Sequence, residues 1–354
     1  EKIAIIGDYD VDGVTSSHLF LTALRRVGAK VDVVIPHRIQ DGYGLSLHLL
    51  QQAKEDGVDT ILTCDNGIAA IDEIAWAKAQ KMTVLVTDHH AVPFEEHEGR
   101  RTEKKSLADA VVNPHQQDCG YPYKELCGAG VAWNVIRVLY ENYDMDKREA
   151  EDLLDFVAMA TVCDVMSLTG ENRILVKEGL KRIRHTKNIG LQALMQACNV
   201  QPENISAYHF GYVLGPCVNA TGRLDTARHA LRLFETGQET EAEEIARDLV
   251  DLNQERKELT LQGVEMAKKL CEEGGYENDP VLVLFLPDVH ESIAGQIKEL
   301  EKEQKRQTEK MQDFLVMEKD LSRIVAKAGI EVPEASETEN ADTMAGQPEE
   351  TDIN

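Results

Sequence analysis

The sequence lacks what a membrane protein, a disulfide scaffold or a generic nucleic-acid binder would need. No apolar stretch approaches the ~20 residues of a spanning helix, and no signal-peptide pattern stands at its start. The seven cysteines (Cys64, Cys119, Cys127, Cys163, Cys198, Cys217 and Cys271) are odd in number and scattered, with no CxxC pair. Neither a disulfide framework nor a zinc ribbon is expected from them; reduced thiols are, and with them a cytoplasmic chain. Basic residues are scarce: 38 Lys and Arg face 63 Asp and Glu, a net charge of −25. That excludes a uniformly basic nucleic-acid binder but leaves room for a local basic groove. Part of the deficit lies after Ile330, where no Lys or Arg offsets the acids.

What is present suffices for packed cores. The chain has 354 residues, 42% of them hydrophobic, enough for two domains. It opens without Met and almost inside a strand, so a fragment of a longer protein is expected.

Its organising stretch is the first thirteen residues. Ile3-Ala4-Ile5-Ile6 is a short apolar run bounded by glycine, which reads as a buried strand. Asp8, Asp10 and Asp12 follow at alternate positions, and a helical pattern begins at once with Val14, Leu19, Phe20, Ala23, Leu24 and Val27. Acids at the carboxyl end of a parallel strand stand where open α/β sheets bind ligands, and packed so closely they repel one another unless a cation lies between them. An EF-hand would need a Glu where Leu19 stands and a helix where the strand stands. An ordinary acidic turn fits this motif alone equally well.

The neighbouring elements decide between the two. Strands are predicted at 31–35, 60–64, 83–87 and 110–112, with a glycine-bearing loop at 37–46 and helices at 47–56 and 70–80. Alternation of this kind implies a doubly wound parallel sheet. Asp65 and the run Asp88-His89-His90 each follow directly on a strand, as the first acids do, so all three groups converge on one sheet edge. Carboxylate mixed with imidazole suits Mn²⁺ more than Mg²⁺, and a bridging carboxylate such as Asp65 could hold two ions the ~3.5–4 Å apart of two-metal hydrolases.

From Gly128 the sequence turns helical, with helices predicted at 130–142, 148–162, 173–184 and 190–198. Asp164 stands there in apolar surroundings, where a lone acid more often caps a helix or pairs with a base. Residues 215–225 (GPCVNATGRLD) read as a glycine-rich loop that can offer backbone N–H groups to a phosphate, with Arg223 closing on it; a plain turn fits too. A long helix is predicted over 240–273, and an apolar run at 280–286 starts a new strand. The expected fold class is therefore α/β: a parallel sheet over 1–125 and a helical part over 126–238, then a connector helix (239–275) and an incomplete second α/β domain opening at 280–295. A charged helix (296–330) and a disordered acidic tail (331–354) complete it.

In this order the motifs resemble the DHH phosphoesterase superfamily, and within it the single-strand-specific exonucleases. The residues that carry the resemblance are Gly7-Asp8-Tyr9-Asp10-Val11-Asp12-Gly13, Cys64-Asp65-Asn66-Gly67, Thr87-Asp88-His89-His90, Val112-Asn113-Pro114, Gly128-Ala129-Gly130, Ala160-Thr161-Val162-Cys163-Asp164 and Gly215-Pro216 to Arg223, over roughly residues 1–295. The resemblance makes residues 1–238 the DHH domain and 280–295 the opening of a DHHA1-like domain. It implies two ions, Mn²⁺ or Mg²⁺, held by Asp8, Asp10, Asp12, Asp65, His89 and Asp164, with Asp65 bridging. It implies catalytic roles for Asp65, His89 and His90, with His90 at the scissile phosphate. Arg38, Tyr43, Asn219 and Arg223 join His90 as substrate contacts. Many relatives carry Arg where Cys217 stands, and the glycine-rich remainder of DHHA1 is replaced here by the charged helix and tail.

The implied activity is metal-dependent 5′–3′ hydrolysis of single-stranded DNA to 5′ mononucleotides in repair and recombination. The expected chain is a monomer away from membranes, with a single-strand-binding protein or a helicase as partner. Two rivals remain. Small substrates (oligoribonucleotides, cyclic dinucleotides, pyrophosphate) are disfavoured by Ile6, where such relatives carry His. An inactive scaffold has little use for so many clustered acids.

Overall fold

The structure is a computed structural model that describes residues 2–38, 41–42, 44–97, 100–224, 226–274 and Val289. The chain divides into a unit Glu1–Ala294 and a unit Gly295–Asn354, the latter wholly outside the described residues. The DHHA1-like opening (apart from Val289), the charged helix and the acidic tail therefore also lie outside them.

Alternation along the first strand builds both faces of a sheet. β1 (Lys2–Ile6) is followed by α1 (Val11–Arg26), β2 (Lys30–Val34), α2 (Leu47–Glu55), β3 (Thr60–Cys64), α3 (Ile71–Ala79) and β4 (Thr83–Thr87). A hairpin of β5 (Phe94–His97) and β6 (Arg100–Glu103) precedes β7 (Ala110–Val112). The five-stranded sheet runs β2-β1-β3-β4-β7 and every pairing is parallel. In register, Ile5 lies beside Val33 and Leu62, all three in the core with α1. Ala4, Ile6, Ile61, Val84 and Val86 point the other way, onto Leu49 and Leu50 of α2 and Ile74 of α3. The strand order reverses at β1, and the crevice at such a switch point is where ligands bind.

The helical part packs on α1. It comprises α4 (Gly128–Asn142), α5 (Lys147–Glu151), α6 (Leu154–Cys163), α7 (Gly170–Ile183) and α8 (Ile189–Ala197). A 3₁₀ turn (Pro202–Asn204), the single turn α9 (Ala207–His209) and a π-helical turn (Phe210–Leu214) lead to α10 (Gly215–Leu224), α11 (Ala227–Glu235) and α12 (Glu239–Gly274). Every residue of α1 from Val11 to Leu21 is buried. Asp10 starts this helix by accepting the Gly13 N–H at 2.9 Å.

Two local expectations are corrected, and one hairpin is added to them. Residues 148–162 form two helices, because the Ala150 carbonyl accepts the Trp133 indole N–H (2.7 Å) and the Leu153 N–H (3.2 Å) in place of the next helical bond. The β5–β6 hairpin escaped notice because its residues are mostly charged: Glu96 pairs with Arg101 in register (3.9 Å) and Arg101 also stacks over Phe94 at 4.4 Å, so no apolar period marks it. Residues 215–224 are helical, not a phosphate-cradling loop. Its Gly222 serves close approach, since a Cβ there would lie 2.4 Å from the Tyr9 carbonyl oxygen. Gly222→Ala should therefore cost about 1–3 kcal/mol in chemical denaturation, the usual range for overpacking.

One buried acid in this helical part gives a pH signature. Asp155, 3% exposed, accepts the Thr186 hydroxyl at 2.6 Å and the Phe156 N–H at 2.8 Å. Burial nevertheless pushes its carboxyl up to about 6. A carboxyl raised in the folded state adds stability at low pH that is lost as pH rises through its folded value. Asp155→Asn should therefore gain on the wild type by up to ~3 kcal/mol between pH about 4 and about 7, measured by urea denaturation of both.

Candidate metal centre

Each strand end delivers its side chains for a local reason. Asp8 follows β1, and Asp12 lies in the first turn of α1. The Gly128 and Ala129 N–H groups at the start of α4 donate to Asp12 Oδ2 (2.6 Å) and Oδ1 (2.8 Å), so this carboxylate also caps a second helix. Asp65 ends β3 in the left-handed region, φ 62°, a conformation Asp tolerates better than most side chains. Gly128 leaves it room: a Cβ there would stand 2.7 Å from Asp65 Cβ. Asp164 is the C-terminal cap of α6.

These groups converge. His89 Nε2 lies 3.0 Å from Asp65 Oδ1, 3.6 Å from Asp12 Oδ2 and 3.7 Å from Asp164 Oδ2. Three sets of donor atoms lie within 4.8 Å of one another: Asp65, His89 and His90; Asp12, His89 and Asp164; Asp8, Asp10 and Asp65. The structure thus gathers all seven sequence-selected acids and imidazoles, and Asp65 and His89 each belong to two sets.

Electrostatics show how costly the cluster is by itself. Burial first, then Asp10, pushes Asp8 up to about 7. Burial first, then Asp12 and Asp10, does the same to Asp164. Asp65 is raised well above the ordinary range, and Asp10 is raised by burial and Asp12. Asp8 Oδ1 is buried without a hydrogen-bond partner among the described residues. An orphaned buried oxygen beside mutually repelling carboxylates is what a cation relieves, and carboxylate with imidazole is a donor set for Mn²⁺. The residues present fit divalent ions.

Asp88 was not singled out beyond its place in the Asp-His-His run, yet it organises that corner. It accepts N–H groups from Ile68 (2.9 Å), His89 (2.7 Å) and His90 (3.1 Å) and meets His90 Nδ1 at 2.8 Å. Burial would raise its carboxyl, but the hydrogen bonds outweigh it and hold Asp88 low; the same bond raises His90. Asn113 fixes the turn by donating to the His90 carbonyl at 2.9 Å.

The substrate-contact candidates are split. Arg38 stacks over the Tyr9 ring at 5.1 Å, and Arg223, more than half buried, feels the charges of Arg38 and Arg256. Arg256 of α12 had no signal in the sequence, being one cation in a highly charged helix. The Asn219 side-chain oxygen accepts the Val11 N–H at 3.0 Å, so it ties α10 to the start of α1. Tyr43 lies outside the described residues.

A sheet of this order, edged by acids and an Asp-His-His run, places the protein in a known class: the chain belongs to the DHH family. The family model described as "DHH family, N-terminal domain" matches residues 2–161. Among relatives, the chain is 37% identical over 317 residues to the single-stranded-DNA-specific exonuclease RecJ of Haemophilus influenzae, covering 86% of this chain and 53% of that protein. It is similar to a crystal structure of exonuclease RecJ bound to manganese (32% identity, TM-score 0.71, 84% of this chain and 71% of that one). It is also similar to RecJ of Thermus thermophilus in complex with Mn²⁺ (30% identity, TM-score 0.67, 84% and 41%). The chain spans about half the length of the curated relatives it matches.

Proposed function

We propose that this chain is a two-metal 5′–3′ exonuclease that hydrolyses single-stranded DNA to 5′ mononucleotides in repair and recombination. The observation that carries the reading is the convergence of Asp8, Asp10, Asp12, Asp65, His89, His90 and Asp164 within three overlapping donor sets. The names of the RecJ relatives supply the substrate class. Asp8, Asp10, Asp12, Asp65, His89 and Asp164 are the ligands of this reading, with Asp65 shared between the two ions. Two bound divalent ions would supply Lewis-acid stabilisation and an activated water.

The chain's own residues do the rest. Arg38 and Arg223 hold backbone phosphate, with Tyr43 and Asn219 completing the substrate set. His90, its Nδ1 bonded to Asp88, is suited to hold a proton at Nε2 against a phosphate oxygen. Residues 1–238 are read as the DHH domain and α12 as the connector. A cytoplasmic, monomeric chain working beside a single-strand-binding protein or a helicase belongs to the same reading.

Digestion of a labelled single-stranded oligonucleotide with Mn²⁺, beside its duplex, tests it. Mononucleotides from the single strand alone are expected; no cleavage of either would overturn the activity. Asp88→Asn should lower the rate about 10–100-fold, as loss of a group that orients a functional histidine does. It should also move the ionisation of His90 to lower pH, read from the pH–rate profile.

A further inference from the structure

Away from the metal centre, a cavity of about 800 Å³ opens between the later turns of α1, the start of α6, the end of α7 and the start of α8. Three rings lie in its lining. His18 packs on Phe156 with centroids 4.5 Å apart, and Phe156 meets Phe234 edge-on at 5.0 Å. Thr186 and Asn188 add polar groups.

Charge distinguishes this lining from the rest of the molecule. It carries five Lys and Arg against four Asp and Glu, whereas the chain has 38 against 63. Three of these cations are engaged: Arg26 with Glu149 (3.7 Å), Lys181 with Glu178 (2.6 Å) and Arg182 with Glu151 (2.6 Å). Arg25 and Lys187 are exposed and make no ion pair among the described residues.

Two lining residues are also incomplete. His18, 6% exposed, keeps its Nδ1 buried without a hydrogen-bond partner among the described residues, and Arg182 does the same with Nε. A buried polar atom left unmatched is destabilising, and a ligand in the cavity would relieve it. Burial, then the charges of Arg26 and Arg25, pushes His18 down to about 3, so the ring stays neutral and offers a hydrogen-bonding edge without charge.

We propose that this cavity binds a mononucleotide, the base at the His18 edge of a ring cluster whose Phe156 and Phe234 are each only 2% exposed, and the phosphate at Arg25 and Lys187. The aromatic lining suits a flat heteroaromatic ring, the unmatched nitrogens suit its polar edge, and two exposed cations suit a phosphate. The volume lies within the ~300–1,000 Å³ of small-ligand sites. The site does not need the proposed cleavage reaction, although that reaction would release ligands of this class. From His18 to Asp12 is six residues of one helix, about 9 Å of rise, so the site is distinct from the acidic cluster.

Calorimetric titration of the full chain with 5′-dAMP in EDTA tests this with the metal centre silenced. Saturable binding of one dAMP is expected, about tenfold or more tighter than deoxyadenosine or inorganic phosphate alone. Arg25→Glu combined with Lys187→Glu should weaken it about tenfold or more, and these exposed changes should leave the melting temperature intact. His18→Leu should weaken it as well, and Asp65→Ala should leave it unchanged. Failure to saturate at millimolar dAMP, phosphate binding as tight as dAMP, or indifference to the double charge reversal would overturn the site. So would loss of binding in Asp65→Ala, or an oligonucleotide competing as well as the mononucleotide. Each of these results stands apart from whether the chain cleaves DNA.

Discussion

Replacing Asp65 with alanine should lower Mn²⁺-dependent release of mononucleotides about 10³-fold or more, some 4 kcal/mol of transition-state stabilisation. Asp65 has this weight by position. It belongs to two of the three donor sets, is 2% exposed, and ends its strand in a left-handed conformation with Gly128 against it. Asp65→Asn should be nearly as inactive, because it keeps the shape and removes the charge. Both variants should fold. Without a cation, the neighbouring acids repel the native carboxylate, so removing it relieves strain in the metal-free protein. Oligonucleotide digestion alongside metal-free melting curves separates loss of chemistry from loss of fold.

Saturating Mn²⁺ at both sites should raise the melting temperature by about 10–20 °C. An ion at ~100 times its dissociation constant adds about 2.7 kcal/mol per site, and in a chain of this size each kcal/mol shifts melting by roughly 2–4 °C. The sign of the pH dependence follows from the raised carboxyls. Asp8 and Asp164, both pushed up to about 7, must lose protons to take a cation, so the Mn²⁺ shift should shrink as pH falls below about 7. Scanning fluorimetry at pH about 8 and about 5.5 reads it. A shift of equal size at both values, or one unchanged in Asp65→Ala, would place the ions elsewhere.

The sheet and the acidic cluster were legible because they obey short-range rules. A buried strand announces itself by four or five apolar residues, and an acid following each of β1, β3 and β4 must lie on the same edge of a parallel sheet. Asp164 was harder, since a lone acid in apolar surroundings more often caps a helix. Its backbone ends α6, but its carboxylate caps no helix among the described residues and stands instead 3.7 Å from His89, a fact set by tertiary packing. Gly222 misled because glycine marks both a loop and a close contact; only the approach of Tyr9 reveals which. Asp88 acts mainly through its neighbours His89 and His90, with only Ile68 distant, by hydrogen bonds that no apolar period marks, and Arg256 is hidden in a charged helix.

The most direct test of a two-ion centre is a Mn²⁺ titration of the metal-free chain by calorimetry at neutral pH. Two ions per chain, with protons released on binding and at least one site lost in Asp65→Ala, is the expected result. Only weak binding, equal in the wild type and in Asp65→Ala, would contradict it: the acids at the sheet edge would then hold no metal centre.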